Sequence, residues 1–180
     1  MNNMDKVRYI DIPRFHDERG FFNETLNLSK QHFTELGEYK QSNFSLNKKN
    51  VLRGMHYQLD NPQGKLVQVI SGAVYDFVID LRKSSDTYMR LDTFYLSGAR
   101  TNALWVPPGY AHGFLSLKDD TILHYHAFDN NWVKGDEYHI NPLEVHGIHA
   151  FLSKLLDLNE LILSGKDAVS SKPEAAAKYE

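Results

Sequence analysis

The chain has 180 residues, 42% of them hydrophobic, which is enough for one domain with a proper core. Its formal net charge of -3 excludes a general nucleic-acid binder, which relies on an excess of lysine and arginine, but leaves room for a few cations around a small anionic ligand. The absence of cysteine excludes disulfides and thiolate metal sites and fits a reducing cytoplasm.

The N-terminal MNNMDKVRYID has no apolar signal core, and no run approaches the ~20 apolar residues of a membrane-spanning helix, so a cytoplasmic protein without a membrane partner is expected. Residues 7–13 alternate and read as a short strand, placed at an edge by its closing proline. A turn at 17–20 leads into a strand at 21–26 with two adjacent aromatics. Ser29 is the expected N-cap of a helix over 30–36, on which His32, Phe33 and Leu36 share a face before Gly37 ends it. After a strand at 41–46 comes a half-buried run at 51–58, a cluster of turn residues at 60–64 and a β-branched run at 65–70. These read as a hairpin which, paired across its turn, sets His56 and Lys65 on one face.

Residues 74–81 place Tyr75, Phe77, Ile79 and Leu81 on one side and Val74, Asp76, Val78 and Asp80 on the other, as in a strand whose two sides meet different surroundings. Further strands are expected at 91–96, 103–106 and 121–128, and the corner at 107–109 opens another that carries His112. Leu152, Leu155, Leu156 and Leu163 fall near helical spacing, which predicts a helix near 151–158. The domain is read as 1–168, and the tail 169–180 has little to bury and is expected to fray or dock weakly. Short, regularly spaced strands with little helix predict a mainly β fold, a jelly-roll sandwich or barrel.

Histidines at 56, 112, 124 and 126 all fall on predicted strands, so a metal site is the first chemistry to weigh. Such a site wants two histidines two apart, a carboxylate close behind and a further histidine on a later strand. His124 and His126 have the spacing but no acid before Asp129, and Gln58 stands where His56 would need its partner. No metal is expected. Taken singly, a histidine or lysine on a strand is more often packed or solvated than catalytic.

Several separated motifs in one order carry more weight: DERGFF at 17–22, NVLRGMH at 50–56, QGKLV at 63–67, LWVPPGYAHGF at 104–114 and SGKD at 164–167. Together they resemble the dTDP-4-dehydrorhamnose 3,5-epimerases, over about 11–167. The resemblance implies a metal-free cupin with no cofactor, a homodimer, and a nucleotide-sugar substrate, most simply dTDP-linked. It implies inversion of the carbons flanking the ketone of a 4-keto-6-deoxyhexose, in deoxysugar and cell-surface polysaccharide biosynthesis.

Taking a proton from a carbon α to a ketone needs a base on one face, a cation or donor at the developing enolate oxygen, and an acid on the other face. By the resemblance, His56 is the base, Asp167 the carboxylate that orients it, Lys65 the enolate-stabilising cation and Tyr125 the opposing acid. Arg19, Glu24, Gln41, Asn43, Arg53, His112, Glu137 and Lys166 fall at ligand-contact positions, where an arginine fork suits a diphosphate. Asp76 reads either as a further partner of His56 or as a structural acid.

The chain departs from the family pattern in three places. Asn130 and Asn131 stand where aromatics are common, the leucine-rich 141–163 loses the landmarks ahead of Asp167, and Asp136 and Glu137 both sit near the place of one ligand contact. The readings left open are an epimerase at C3 and C5, a C3-only epimerase or ketoisomerase on another nucleotide sugar, and a sugar-nucleotide-binding cupin without turnover. The joint presence of His56, Lys65 and Tyr125 favours catalysis, because binding alone needs no acid and base on opposite faces.

Overall fold

The alternation at 74–81 sets the plan of the molecule. Phe77, Ile79 and Leu81 pack outward with Leu52, Met55, Tyr57 and Leu152, whereas Val74 and Val78 pack inward with Val67, Leu104 and Phe114. A strand apolar on both sides needs cover on both. In the computed structural model, which describes residues 5–173, 176 and 179, that cover is a helix on the outside and a second sheet on the inside.

In chain order the strands are Arg8–Asp11 (β1), Arg14–Asp17 (β2), Gly20–Asn23 (β3), Tyr39–Asn47 (β4), Leu52–Tyr57 (β5), Gly64–Ser71 (β6), Ala73–Asp80 (β7), Leu91–Ser97 (β8), Asn102–Val106 (β9), Tyr110–Ser116 (β10), Thr121–Phe128 (β11) and Tyr138–His139 (β12). The helices are Gln31–Thr34 (α1), His146–Leu155 (α2) and Gly165–Ala168 (α3). One sheet runs β1-β9-β6-β11-β4, the other β12-β5-β10-β7-β8, and β2-β3 forms a separate hairpin. The ladders of both large sheets are antiparallel. This is the expected mainly β jelly roll.

One expectation about topology fails. β5 and β6 are not a hairpin: β5 pairs with β10 and β12 in one sheet, β6 with β11 and β9 in the other. The turn-rich run between them crosses from sheet to sheet. It is held open by the Asp136 carboxylate, which accepts backbone N–H groups from Leu59, Asp60 and Asn61 at 3.0, 3.0 and 2.7 Å.

The helices also differ from the reading. α1 is one turn, not 30–36, and Ser29 is not its cap; the Ser29 N–H instead donates to Asn27 Oδ1 at 2.9 Å. Phe33 and Leu36 are nevertheless buried, against Trp105 and Phe128 on the outer side of the first sheet. α2 starts at His146, ahead of the predicted 151–158, because Ile148 and Leu152 are the pair it buries. The tail packs more firmly than expected: Ser171 bridges to Ile140, Ala176 is buried in the outer cluster and the Tyr179 ring packs on Tyr57. Ala175 and Ala177 lie outside the described residues.

Candidate active site

β5 and β10 meet at an irregular ladder. His112 lies opposite His56, but Phe114 lies opposite Arg53, so β5 carries one extra residue in this stretch. Regular alternation would turn Arg53 and His56 to opposite faces, since their spacing is odd. The bulge turns both inward. It depends on glycine: Gly54 has φ +113°, and a Cβ there would lie 2.5 Å from Gly113 Cα.

Both side chains line a cavity of about 370 Å³ between the sheets, shared with His112 and Phe114 from β10, Lys65 from β6, Asn43 from β4, and Leu123 and Tyr125 from β11. A larger hollow of about 630 Å³ lies beside Arg82, Arg90 and Tyr110. There Arg82 is committed to Asp80 at 2.8 Å and Arg90 to Asp92 at 2.9 Å. Of the two, only the smaller cavity is lined by imidazoles, set with a lysine and a phenol, so it is the candidate for chemistry.

His56 Nε2 is 2.7 Å from Asp167 Oδ1. The carboxylate is almost fully buried at the start of the chain's last short helix, where Ser164 Oγ accepts the Asp167 N–H at 3.2 Å. Burial alone would raise its pKa. The hydrogen bond and charge of His56, with the Ser164 hydroxyl and the Gly54 N–H, outweigh burial and hold Asp167 below the ordinary carboxylate range. An ionised carboxylate here fixes the imidazole's orientation.

His112 has its own acid, Asp76 Oδ2 at 2.8 Å. That answers the question left open for Asp76, which pairs with His112 and not with His56. Burial raises the Asp76 pKa, against the pull of His112 and Lys65. Burial lowers that of Lys65, opposed by the negative charges of Glu137 and Asp76. Tyr125 is raised, first by burial and then by Glu137, and so holds its phenolic proton. Of the neighbours Asp136 and Glu137, it is Glu137 whose charge reaches both Lys65 and Tyr125, while Asp136 serves the crossover loop.

Other expected contacts lie elsewhere. Arg53 lines the cavity with its Nε donating to Asn47 Oδ1 at 2.8 Å, and Gln41 reaches the site only through Asn43, donating to its Oδ1 at 2.8 Å. Arg19 is at the exposed tip of the β2-β3 hairpin, paired with Asp17, and Glu24 pairs with Lys30 beyond that hairpin. Neither lines the cavity, and Lys166 is exposed on α3. Asn130 is not in the cavity wall either; it donates to the Pro62 carbonyl at 2.8 Å and its own carbonyl accepts from Gln63 at 2.8 Å. His124 and His126 point away from the cavity, on the opposite face of β11 from Leu123 and Tyr125.

One residue of the site escaped the sequence. His139 lies directly opposite His56 in the β12-β5 register, its ring 4.6 Å away and its Nδ1 3.5 Å from the same Asp167 oxygen. β12 is two residues long, too short for alternation to show it.

A family model described as dTDP-4-dehydrorhamnose 3,5-epimerase matches residues 2–174. The enzyme of that name from Methanothermobacter thermautotrophicus is 42% identical over 126 residues, 68% of this chain and 67% of the relative. The crystal structure of the dTDP-4-dehydrorhamnose 3,5-epimerase from Sulfolobus tokodaii superposes with a TM-score of 0.82 at 32% identity, covering 97% of this chain and 94% of that one. The Legionella pneumophila dTDP-6-deoxy-D-glucose-3,5-epimerase, solved with dTDP-4-keto-L-rhamnose, gives 0.80 at 32% identity over 94% of this chain and 88% of that one.

Proposed function

The chain belongs to the dTDP-4-dehydrorhamnose 3,5-epimerase family of isomerases, and we propose that it inverts C3 and then C5 of a dTDP-linked 4-keto-6-deoxyhexose in deoxysugar biosynthesis. The observation that carries this reading is a base on one sheet, held by a carboxylate from α3, facing a cation and a phenol on the other sheet across one cavity. His56 takes the α-proton, leaving an enolate on the neighbouring carbonyl. Lys65 faces the negative oxygen, where a charge in a low-dielectric cavity is worth more than in water. Tyr125 returns a proton from the other side, which inverts the carbon. Asp167 keeps His56 oriented throughout and remains ionised.

The working unit in this reading is a homodimer in the cytoplasm. Phe15, Phe21 and Phe22 on the β2-β3 hairpin are 58%, 57% and 65% exposed, and Phe44, on the outward face of β4, is 75% exposed. Aromatics displayed on an arm are the mark of an interface. A second copy covering the hairpin would carry Arg19 and Glu24 to the ligand, which explains why neither reaches the cavity of its own chain. No helix among the described residues is long and apolar enough to cross a membrane.

The test is incubation with dTDP-4-keto-6-deoxyglucose in deuterated water, counting deuterium at C3 and C5 by NMR. Incorporation at both carbons supports the reading, incorporation at C3 alone gives a single-centre epimerase, and none leaves a binding protein.

A further inference from the structure

His139 has no place in the proton transfers described above, yet it is set where it alters their chemistry. Asp167 Oδ1 faces two imidazoles at once, His56 Nε2 at 2.7 Å and His139 Nδ1 at 3.5 Å. The first contact is a full hydrogen bond, whereas His139 Nδ1 is buried with no hydrogen-bond partner among the described residues. On the far side of the ring, His139 Nε2 lies 3.6 Å from Glu137 Oε2. One carboxylate oxygen and two ring nitrogens thus converge within 4.8 Å of one another, and the second histidine has a carboxylate behind it.

We propose that His56, His139 and Asp167 form a site for one divalent transition-metal ion of the zinc type, whose binding competes with epimerisation. Two histidines and a carboxylate are a donor set that zinc accepts, with ligand atoms about 2.0–2.1 Å from the ion and a remaining position open to a small molecule. Around such a tetrahedral ion, donors sit about 3.3 Å apart, so the three groups need move only by roughly an ångström to enclose it. Glu137 stands where a metal-bound histidine usually finds the carboxylate that takes its other N–H.

The consequence for catalysis rests on His56 being the base. An ion on its Nε2 replaces the N–H that Asp167 accepts, drawing the carboxylate away from the ring and electron density away from the other ring nitrogen, the one left to take the substrate proton, so the metal is an inhibitor and not a cofactor. The ion displaces protons from the site, and its affinity therefore rises with pH.

The experiment uses the full chain stripped of metal by chelation and titrated with Co²⁺ alone, then Zn²⁺ alone. The expected result is one ion per chain, with Co²⁺ ligand-field bands that Zn²⁺ abolishes. His139→Ala should weaken binding by at least about 10- to 100-fold. Replacing His146 and His149, the exposed pair on α2, by alanine should leave it unchanged, as should His124→Gln.

In turnover assays, each variant is compared with its own metal-free rate. Zn²⁺ should silence the wild type, reversibly on adding chelator, at concentrations that His139→Ala tolerates. Absence of stoichiometric binding, or binding that survives His139→Ala but not the α2 replacements, overturns the site. Binding at His139 with unchanged turnover overturns the competition. A metal-free wild type that never turns over counts against the epimerase reading, while the Co²⁺ titration still decides the site.

Discussion

His56 and Lys65 reach one cavity from opposite sheets, although only a short crossover separates them in the chain. The crossover at 58–63 is therefore part of the catalytic geometry, since it fixes how far a base and a cation stand apart across the substrate. Asp136, which ties three of its backbone N–H groups, supports the chemistry without touching it.

His56→Ala should lower deuterium exchange at both C3 and C5 by about 10²- to 10⁴-fold, the usual contribution of a general base. The imidazole is partly exposed at the cavity wall, so the fold and dTDP affinity should hold. Circular dichroism and a dTDP titration check the second point. Exchange at the wild-type rate would remove His56 from the base role.

Lys65→Met should cut kcat by about 10²- to 10³-fold with a much smaller change in KM, because the cation is needed when the enolate forms. Methionine keeps most of the side chain's bulk in the wall. A rise in KM with unchanged kcat would mean that Lys65 binds ground-state substrate only.

Exhaustive chelation should leave epimerisation at or above its starting rate, since Lys65 supplies the positive charge at the enolate. Loss of activity that added metal restores would make the ion a participant and return the histidines to a metal-cupin role.

Much of this was legible in the sequence because it is local. Alternation at 74–81 separates the two faces of β7 as the structure has them, whereas the roles given to His56, Lys65 and Tyr125 rest on the resemblance of the motifs around them and not on their strands. What failed was relational. The run at 51–70 has the composition of a hairpin, and nothing local records that Asp136, far along the chain, spreads its turn between two sheets. Periodicity also cannot see a bulge, so the common face of Arg53 and His56 depends on the meeting of Gly54 with Gly113. His139 was invisible for a third reason: its strand exists only as an addition to β5. Asn130, which stands where the family commonly has an aromatic, fastens the crossover loop.

The outward face of β11 predicts how the fold responds to acid. His126 is buried against His124 and the edge of Tyr39, and neither of its ring nitrogens has a hydrogen-bond partner among the described residues. Burial, with a smaller push from His124, lowers its pKa to about 4. In the unfolded chain the same imidazole takes up its proton near ~6.5. Between those values the unfolded state binds more protons than the folded one, so stability rises with pH across the window and is lost on acidification through it. The loss should amount to about 1–3 kcal/mol between about pH 7 and about pH 4. Urea midpoints measured across that range should fall as pH falls, and His126→Leu should flatten the dependence by removing the group that titrates. A slope as steep in His126→Leu as in the wild type would assign the acid sensitivity to other groups.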